Sequence, residues 1–156
     1  MPIMRSRKHP FVIVNEELLN TFGVNEFHRS LLGKEIDKKI VELVLAMNAA
    51  GFQTQNSCED IDGLGSAEIR FKASFDKAIQ LLKDLNQFCL ANLSNDERAN
   101  FFLFFSCDII FFPERWQLKI LNFEQTYNSP QAKKHYQELV TFFLNYKNRA
   151  QIKTAK

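Results

Sequence analysis

Apolar and polar residues alternate most regularly in the segment 67–72. In order, its residues are Ala67, Glu68, Ile69, Arg70, Phe71 and Lys72. Successive side chains of a β-strand point to opposite faces of the sheet, so this alternation predicts a strand with one apolar face and one polar face. The pattern is typical of an antiparallel sheet that leaves one face open, rather than of a parallel sheet covered on both faces.

Hydrophobic spacing in the rest of the chain predicts long helices between short strands. Apolar residues recur at a helical spacing of about 3.6 residues in the segments 35–50, 74–93 and 130–147. Further strands are predicted at 11–14, 52–58, 101–112 and 116–123. The first six elements of the resulting order, β-α-β-β-α-β-β-α, follow the ferredoxin-like arrangement. We therefore predict an α+β fold: an antiparallel sheet of four or five strands with helices on one face, in ferredoxin-like order with an added C-terminal strand and helix.

The length of 156 residues predicts a single domain spanning residues 1–156. Its 46% hydrophobic and 24% charged residues are ordinary for a globular protein, and the 16 phenylalanines indicate an aromatic core. Basic residues cluster at both ends, and we expect residues 1–10 and 148–156 to be flexible. The formal net charge of +2 is too small to indicate nucleic-acid binding from charge alone.

The cysteines Cys58, Cys89 and Cys107 are odd in number and widely spaced, so a reducing compartment is favoured over a disulfide framework. The longest apolar stretch, 101–112, is interrupted by Ser106 and Asp108. It also falls short of the roughly 20 apolar residues that a helix needs to cross a bilayer. We therefore expect a cytoplasmic protein that does not bind a membrane.

The segment before the 67–72 strand has an unusual sequence: Gly51-Phe52-Gln53-Thr54-Gln55-Asn56-Ser57-Cys58-Glu59. It resembles a signature of small bacterial and phage proteins. In that signature a helix is followed by Gly, a hydrophobic residue, any residue, Thr, two further residues, Ser-Cys and then Glu or Gln. Asp60 stands where the signature usually has a second Gly. The resemblance implies a small α+β fold and carries no known activity.

The residues around Cys58 do not form a recognisable catalytic or metal-binding motif. The carboxylates of Glu59, Asp60 and Asp62 oppose formation of the thiolate that nucleophilic catalysis requires. An EF-hand loop starting at Asp60 would have Phe71 in place of its closing Glu, so a turn explains the Asp-Gly segment better. Neither zinc-ligand spacing nor a phosphate-binding loop is present. We identify no catalytic residue and expect no metal or other cofactor.

The polar side of the predicted sheet and the loop beside it form the predicted site. Strand alternation indicates that one open face is shared by Glu68, Arg70, Lys72, Asp108, Gln117 and Lys119. The candidate ligand-binding residues are Cys58, Glu59, Asp60, Asp62, Glu68, Arg70 and Asp108. Carboxylates mixed with arginine suit a protein partner or a small polar ligand better than RNA, which such sheets bind through exposed aromatic residues. A solvated face with cross-strand ion pairs explains the same residues without any ligand.

Two classes of function stay open. The first is a small non-catalytic binding or regulatory module that recognises a protein partner or a small polar ligand, and it is favoured because it needs no catalytic pair. The second is an enzyme or nucleic-acid-processing factor that uses the same open sheet face. A broad positive potential along the sheet favours the second class, whereas a hydrophobic patch of several hundred Å² favours the first.

Overall fold

The structure, a computed structural model, describes residues 10–24, 30–58, 66–92, 102–107, 114–121 and 123–154. Its strands are β1 (Phe11–Ile13), β2 (Glu35–Asp37), β3 (Gln53–Cys58), β4 (Ala67–Lys72), β5 (Phe102–Cys107) and β6 (Arg115–Leu121). Its helices are α1 (Glu16–Phe22), α2 (Val41–Ala49), α3 (Phe75–Asn92), α4 (Phe123–Asn128) and α5 (Pro130–Thr154). Helices together with antiparallel sheets confirm the predicted α+β class. Residues 1–9, within the predicted flexible N-terminal end, lie outside the described residues.

β1 and β2 form a two-stranded antiparallel sheet in which Val12 lies opposite Ile36. The prediction of one helix over residues 35–50 is therefore wrong for its first turn. Ile36 fits the apolar spacing of the predicted helix and also that of a strand. Pairing with β1 favours the strand, because β1 supplies hydrogen-bond partners for the backbone of β2. A turn follows, in which the Ile40 N–H donates to the Asp37 carbonyl over 3.1 Å, and α2 then begins at Val41.

α2 lies in the protein core and positions β3. Eight of its nine residues are buried, Glu42 being the exposed one, so the helix contacts protein on nearly every side. Asn48, close to its C-terminal end, is completely buried and donates from Nδ2 to the Val44 carbonyl and to Thr54 Oγ1, each over 2.8 Å. Gly51, with a φ of 94°, then turns the chain from α2 into β3. The end of α2 and the start of β3 are thereby held together.

The larger sheet is antiparallel, with the strand order β3-β4-β6-β5. The predicted ferredoxin-like order is wrong, because β1 pairs with β2 outside this sheet. β1 has only three residues, and Phe11 and Ile13 are 42% and 56% exposed, so the strand lacks the burial that an interior strand requires. The added C-terminal strand, β6, lies inside the sheet between β4 and β5.

The apolar face of the larger sheet packs against helices through aromatic side chains. The rings of Phe71 and Phe52 pack edge to face, with 5.7 Å between their centroids. Phe52 and Phe143 of α5 pack in the same way, with 6.0 Å between their centroids. α5 also contacts α3, because the Tyr146 hydroxyl donates to Asp84 Oδ2 over 2.8 Å. This aromatic packing agrees with the phenylalanine-rich composition. The polar residues of the strands lie on the opposite face of the sheet.

The C-terminal part of the chain is more helical than predicted. α5 begins at Pro130, as expected, but continues to Thr154, past the predicted end at residue 147. Neither Gly nor Pro occurs after Pro130, so no residue in this part of the sequence breaks the helix. Among the helices that the structure describes, none combines the length and the apolar content that crossing a bilayer requires.

Candidate functional site

One face of the larger sheet carries polar side chains, and we name it the polar sheet face. Residues directly opposite each other on neighbouring strands share a face, so the register of β4 with β3 and β6 identifies its members. Those with described side chains are Gln53, Asn56, Glu68, Arg70, Lys72, Arg115, Gln117 and Lys119. The alternation in 67–72 therefore places the polar residues of β4 beside polar residues of both neighbouring strands.

Glu68 and Arg70 are in direct contact on this face. Arg70 Nε donates to Glu68 Oε1 over 2.7 Å. The Glu68 side chain is only 8% exposed, whereas that of Arg70 is 56% exposed. Arg70 therefore neutralises a buried carboxylate although its own side chain is more than half exposed. The pair lies along one strand, unlike the cross-strand ion pairs that a solvated face would have.

Cations outnumber carboxylates on the polar sheet face. Among its described side chains, the charged ones are Arg70, Lys72, Arg115, Lys119 and Glu68. Lys72 lies directly opposite Arg115, and like charges in that position destabilise a sheet. Lys72 is exposed, and Arg115 and Lys119 are half-buried. The described side chains of the face thus include four cations and one carboxylate.

The described residues include only part of the predicted site. Glu68 and Arg70 are in contact, and Cys58 occupies the register position opposite Glu68. The remaining predicted residues lie outside the described residues: Glu59, Asp60, Asp62 and Asp108.

Register also brings Lys72, Gln117 and Lys119 onto the predicted face. Sequence reasoning does not find Arg115, because the predicted strand begins at residue 116. Arg115 could have been found by extending the strand by one residue, because every second residue of a strand lies on the same face and Arg115 is two residues before Gln117.

A half-open cleft of about 360 Å³ lies between β2 and β3, and we name it the β2–β3 cleft. Its β3 side is formed by four consecutive residues of the signature-like segment: Thr54, Gln55, Asn56 and Ser57. Its other side is formed by Leu31, Lys34, Glu35, Ile36 and Val44. The pairing of β3 with β4 shifts register between Thr54 and Asn56, which leaves Gln55 as an extra residue in a β-bulge. The signature-like segment thus lines a cleft directly before Cys58.

The described residues give no sign of a metal centre. No group of three or more His, Cys, Asp or Glu side chains in these parts of the chain could hold a metal ion. Comparisons with protein-family models, curated proteins and solved structures found no match to this chain. Within the described residues, the polar sheet face and the β2–β3 cleft are the two candidate binding surfaces.

Proposed function

We propose that the protein is a non-catalytic binding module that holds a single-stranded nucleic acid on the polar sheet face. The observation that carries this proposal is the excess of cations among the described side chains of that face. Arg70, Lys72, Arg115 and Lys119 lie on two adjacent strands, and Glu68, the carboxylate among them, is already neutralised by Arg70. Phosphate groups are the anions that such a row of Lys and Arg side chains attracts.

Lys72, Arg115 and Lys119 form a cationic row whose length suits a short stretch of single-stranded nucleic acid. β6 rises about 3.4 Å per residue, so Arg115 and Lys119 are separated by about 14 Å along the strand. β4 lies about 4.8 Å to one side, where Lys72 faces Arg115. A phosphate between Lys72 and Arg115 would relieve the repulsion between them. The row is therefore long enough for two or three phosphates, and the affinity we expect is modest.

The register of β5 supports a nucleic acid in particular. Phe104 lies directly opposite Lys119, and Ser106 lies opposite Gln117. Nucleic-acid-binding sheets combine cations with aromatic residues on which bases stack. The register position of Phe104 is compatible with such an arrangement. The positive charge of the face also favours this class of partner over a hydrophobic protein surface.

A second candidate partner is an acidic segment of another protein. The contact between Arg70 and Glu68 favours it, because the face already accommodates one carboxylate at hydrogen-bond distance. Glu68 engages Nε, one of the five N–H donors of a guanidinium group, and arginine binds carboxylates well. For either partner we propose a reducing, cytoplasmic setting, which the odd number and wide spacing of the three cysteines favour.

Fluorescence anisotropy with three labelled probes tests the proposal. The probes are a twelve-residue oligouridylate, an oligodeoxythymidylate of the same length and a glutamate-rich peptide of matched charge. We expect either oligonucleotide to bind more tightly than the peptide, and the affinity to fall as salt is added. Tighter binding of the peptide would replace the proposal with the second candidate. If none of the three probes binds at low salt, both are wrong.

A further inference from the structure

The β2–β3 cleft has an apolar floor beneath a polar rim. Leu31, Ile36 and Val44 form the floor and are at most 5% exposed. The rim carries an ammonium group, Lys34, next to a carboxylate, Glu35, and both side chains are exposed. Across the cleft lie Gln55 and Asn56 of β3, two residues with carboxamide side chains. A ligand that fits this chemistry has a short apolar group and both signs of charge.

The walls of the cleft are fixed by contacts made elsewhere in the protein. Thr54 is held by the buried Asn48, which donates to its hydroxyl oxygen and accepts from its backbone N–H. The Lys34 backbone is held on both sides, because its carbonyl accepts from Val14 over 2.9 Å and its N–H donates to Leu31 over 3.0 Å. The cleft therefore exists before a ligand arrives, as small-molecule sites usually do.

The size of the cleft excludes an added strand and fits a small molecule. Cα atoms of β2 and β3 approach within 8 Å of each other. A peptide strand inserted between them would need about 4.8 Å on each side, which is more than this separation. The volume of about 360 Å³ is near the lower end of the range of ligand pockets, which begins at about 300 Å³.

We propose that the β2–β3 cleft binds a small aliphatic α-amino acid in its zwitterionic form. The aliphatic side chain packs on Leu31, Ile36 and Val44. The carboxylate of the ligand pairs with Lys34 and accepts hydrogen bonds from the carboxamides of β3, and its ammonium group pairs with Glu35. This site shares Asn56 with the edge of the polar sheet face, and amino-acid binding there does not depend on nucleic-acid binding.

Titration calorimetry with three related probes tests this site. L-Valine has both charges, isovalerate lacks the ammonium group and isobutylamine lacks the carboxylate. We expect L-valine to bind about fivefold more tightly than either analogue, because an ion pair with an exposed side chain contributes up to about 1 kcal/mol. Equal affinity for L-valine and isovalerate, or no binding of L-valine at millimolar concentration, overturns the proposal.

Variants of the rim locate the binding site. Lys34→Ala and Glu35→Gln each remove one charge from an exposed side chain, and we expect each to weaken L-valine binding by about fivefold. Lys38→Ala removes an exposed cation that does not line the cleft and serves as the matched control. Thermal melting of all three variants reports whether each is folded. If Lys38→Ala weakens binding as much as Lys34→Ala, the effect is one of general charge and the assignment is wrong.

Discussion

Arg70 and Glu68 form an ion pair in which the glutamate side chain is buried and the arginine side chain is more than half exposed, with 2.7 Å between Nε and Oε1. Two side chains on the same face of one strand thus differ greatly in their contact with water. An exposed ion pair contributes about 0–1 kcal/mol to stability. A buried carboxylate that loses its partner costs more, because it has been removed from water without a replacement hydrogen bond.

We therefore expect Arg70→Ala to lower the free energy of unfolding by about 1–3 kcal/mol. The double variant Glu68→Gln/Arg70→Ala should recover part of this loss, since a neutral carboxamide is less costly to bury than a carboxylate. Chemical denaturation of wild type, the single variant and the double variant measures both effects. An unchanged midpoint for Arg70→Ala would mean that Glu68 does not depend on this contact.

Asn48 allows a test of the buried network between α2 and β3. Asn48→Ala removes the hydrogen bonds to Val44 and Thr54 in a fully buried position, and we expect a loss of about 1–3 kcal/mol. Asn92→Ala is a matched control, because Asn92 Nδ2 makes the same kind of bond to the carbonyl four residues earlier, but on an exposed helix surface. Equal losses in stability for the two variants would contradict the role given to burial.

Comparing Gly51→Ala with Gly33→Ala distinguishes the cost of backbone strain from the cost of a steric contact. Both have positive φ, 94° and 81°, so alanine at either position should cost about 1–2 kcal/mol. A Cβ at Gly51 would also lie 3.1 Å from Lys77 Nζ, whereas one at Gly33 would have nothing within 4 Å. Lys77 donates to the Gly51 carbonyl over 2.7 Å, and burial lowers the pKa of its ammonium group. We therefore expect Gly51→Ala to have the lower melting temperature, and the reverse order would contradict this explanation.

The alternation in 67–72 is sufficient to predict β4 and its two faces. Ile69 and Phe71 are buried and Arg70 and Lys72 are exposed, as their parity requires. Parity does not predict that Glu68 is 6% exposed, because it gives the direction of a side chain and not what covers it. The segment 35–37 shows the same limit. Its apolar spacing fits a helix, and the pairing with β1, more than twenty residues earlier, makes it a strand.

The β2–β3 cleft could not be predicted from the sequence for the same reason. The segment Gly51–Cys58 is recognisable as unusual, but the opposite wall contains Glu35 and Ile36, which were expected in a helix. The excess of cations on the polar sheet face is only partly predictable. Lys72, Gln117 and Lys119 follow from strand parity, whereas the proximity of Lys72 to Arg115 depends on the register between β4 and β6. Pairings distant in sequence therefore determine both candidate sites.

The salt dependence of oligouridylate binding tests the central proposal most directly. For a single strand, the logarithm of the affinity falls with the logarithm of salt concentration with a slope of about −0.7 per phosphate contact, so two or three contacts predict a slope of about −1.4 to −2.1. Lys72→Ala should reduce this slope by about 0.7 without lowering the melting temperature, since the side chain is exposed and lies opposite another cation. Lys83→Ala, which removes an exposed lysine of α3, should leave the slope unchanged. Identical slopes for wild type and Lys72→Ala, or equal reductions in the two variants, would contradict binding on the polar sheet face.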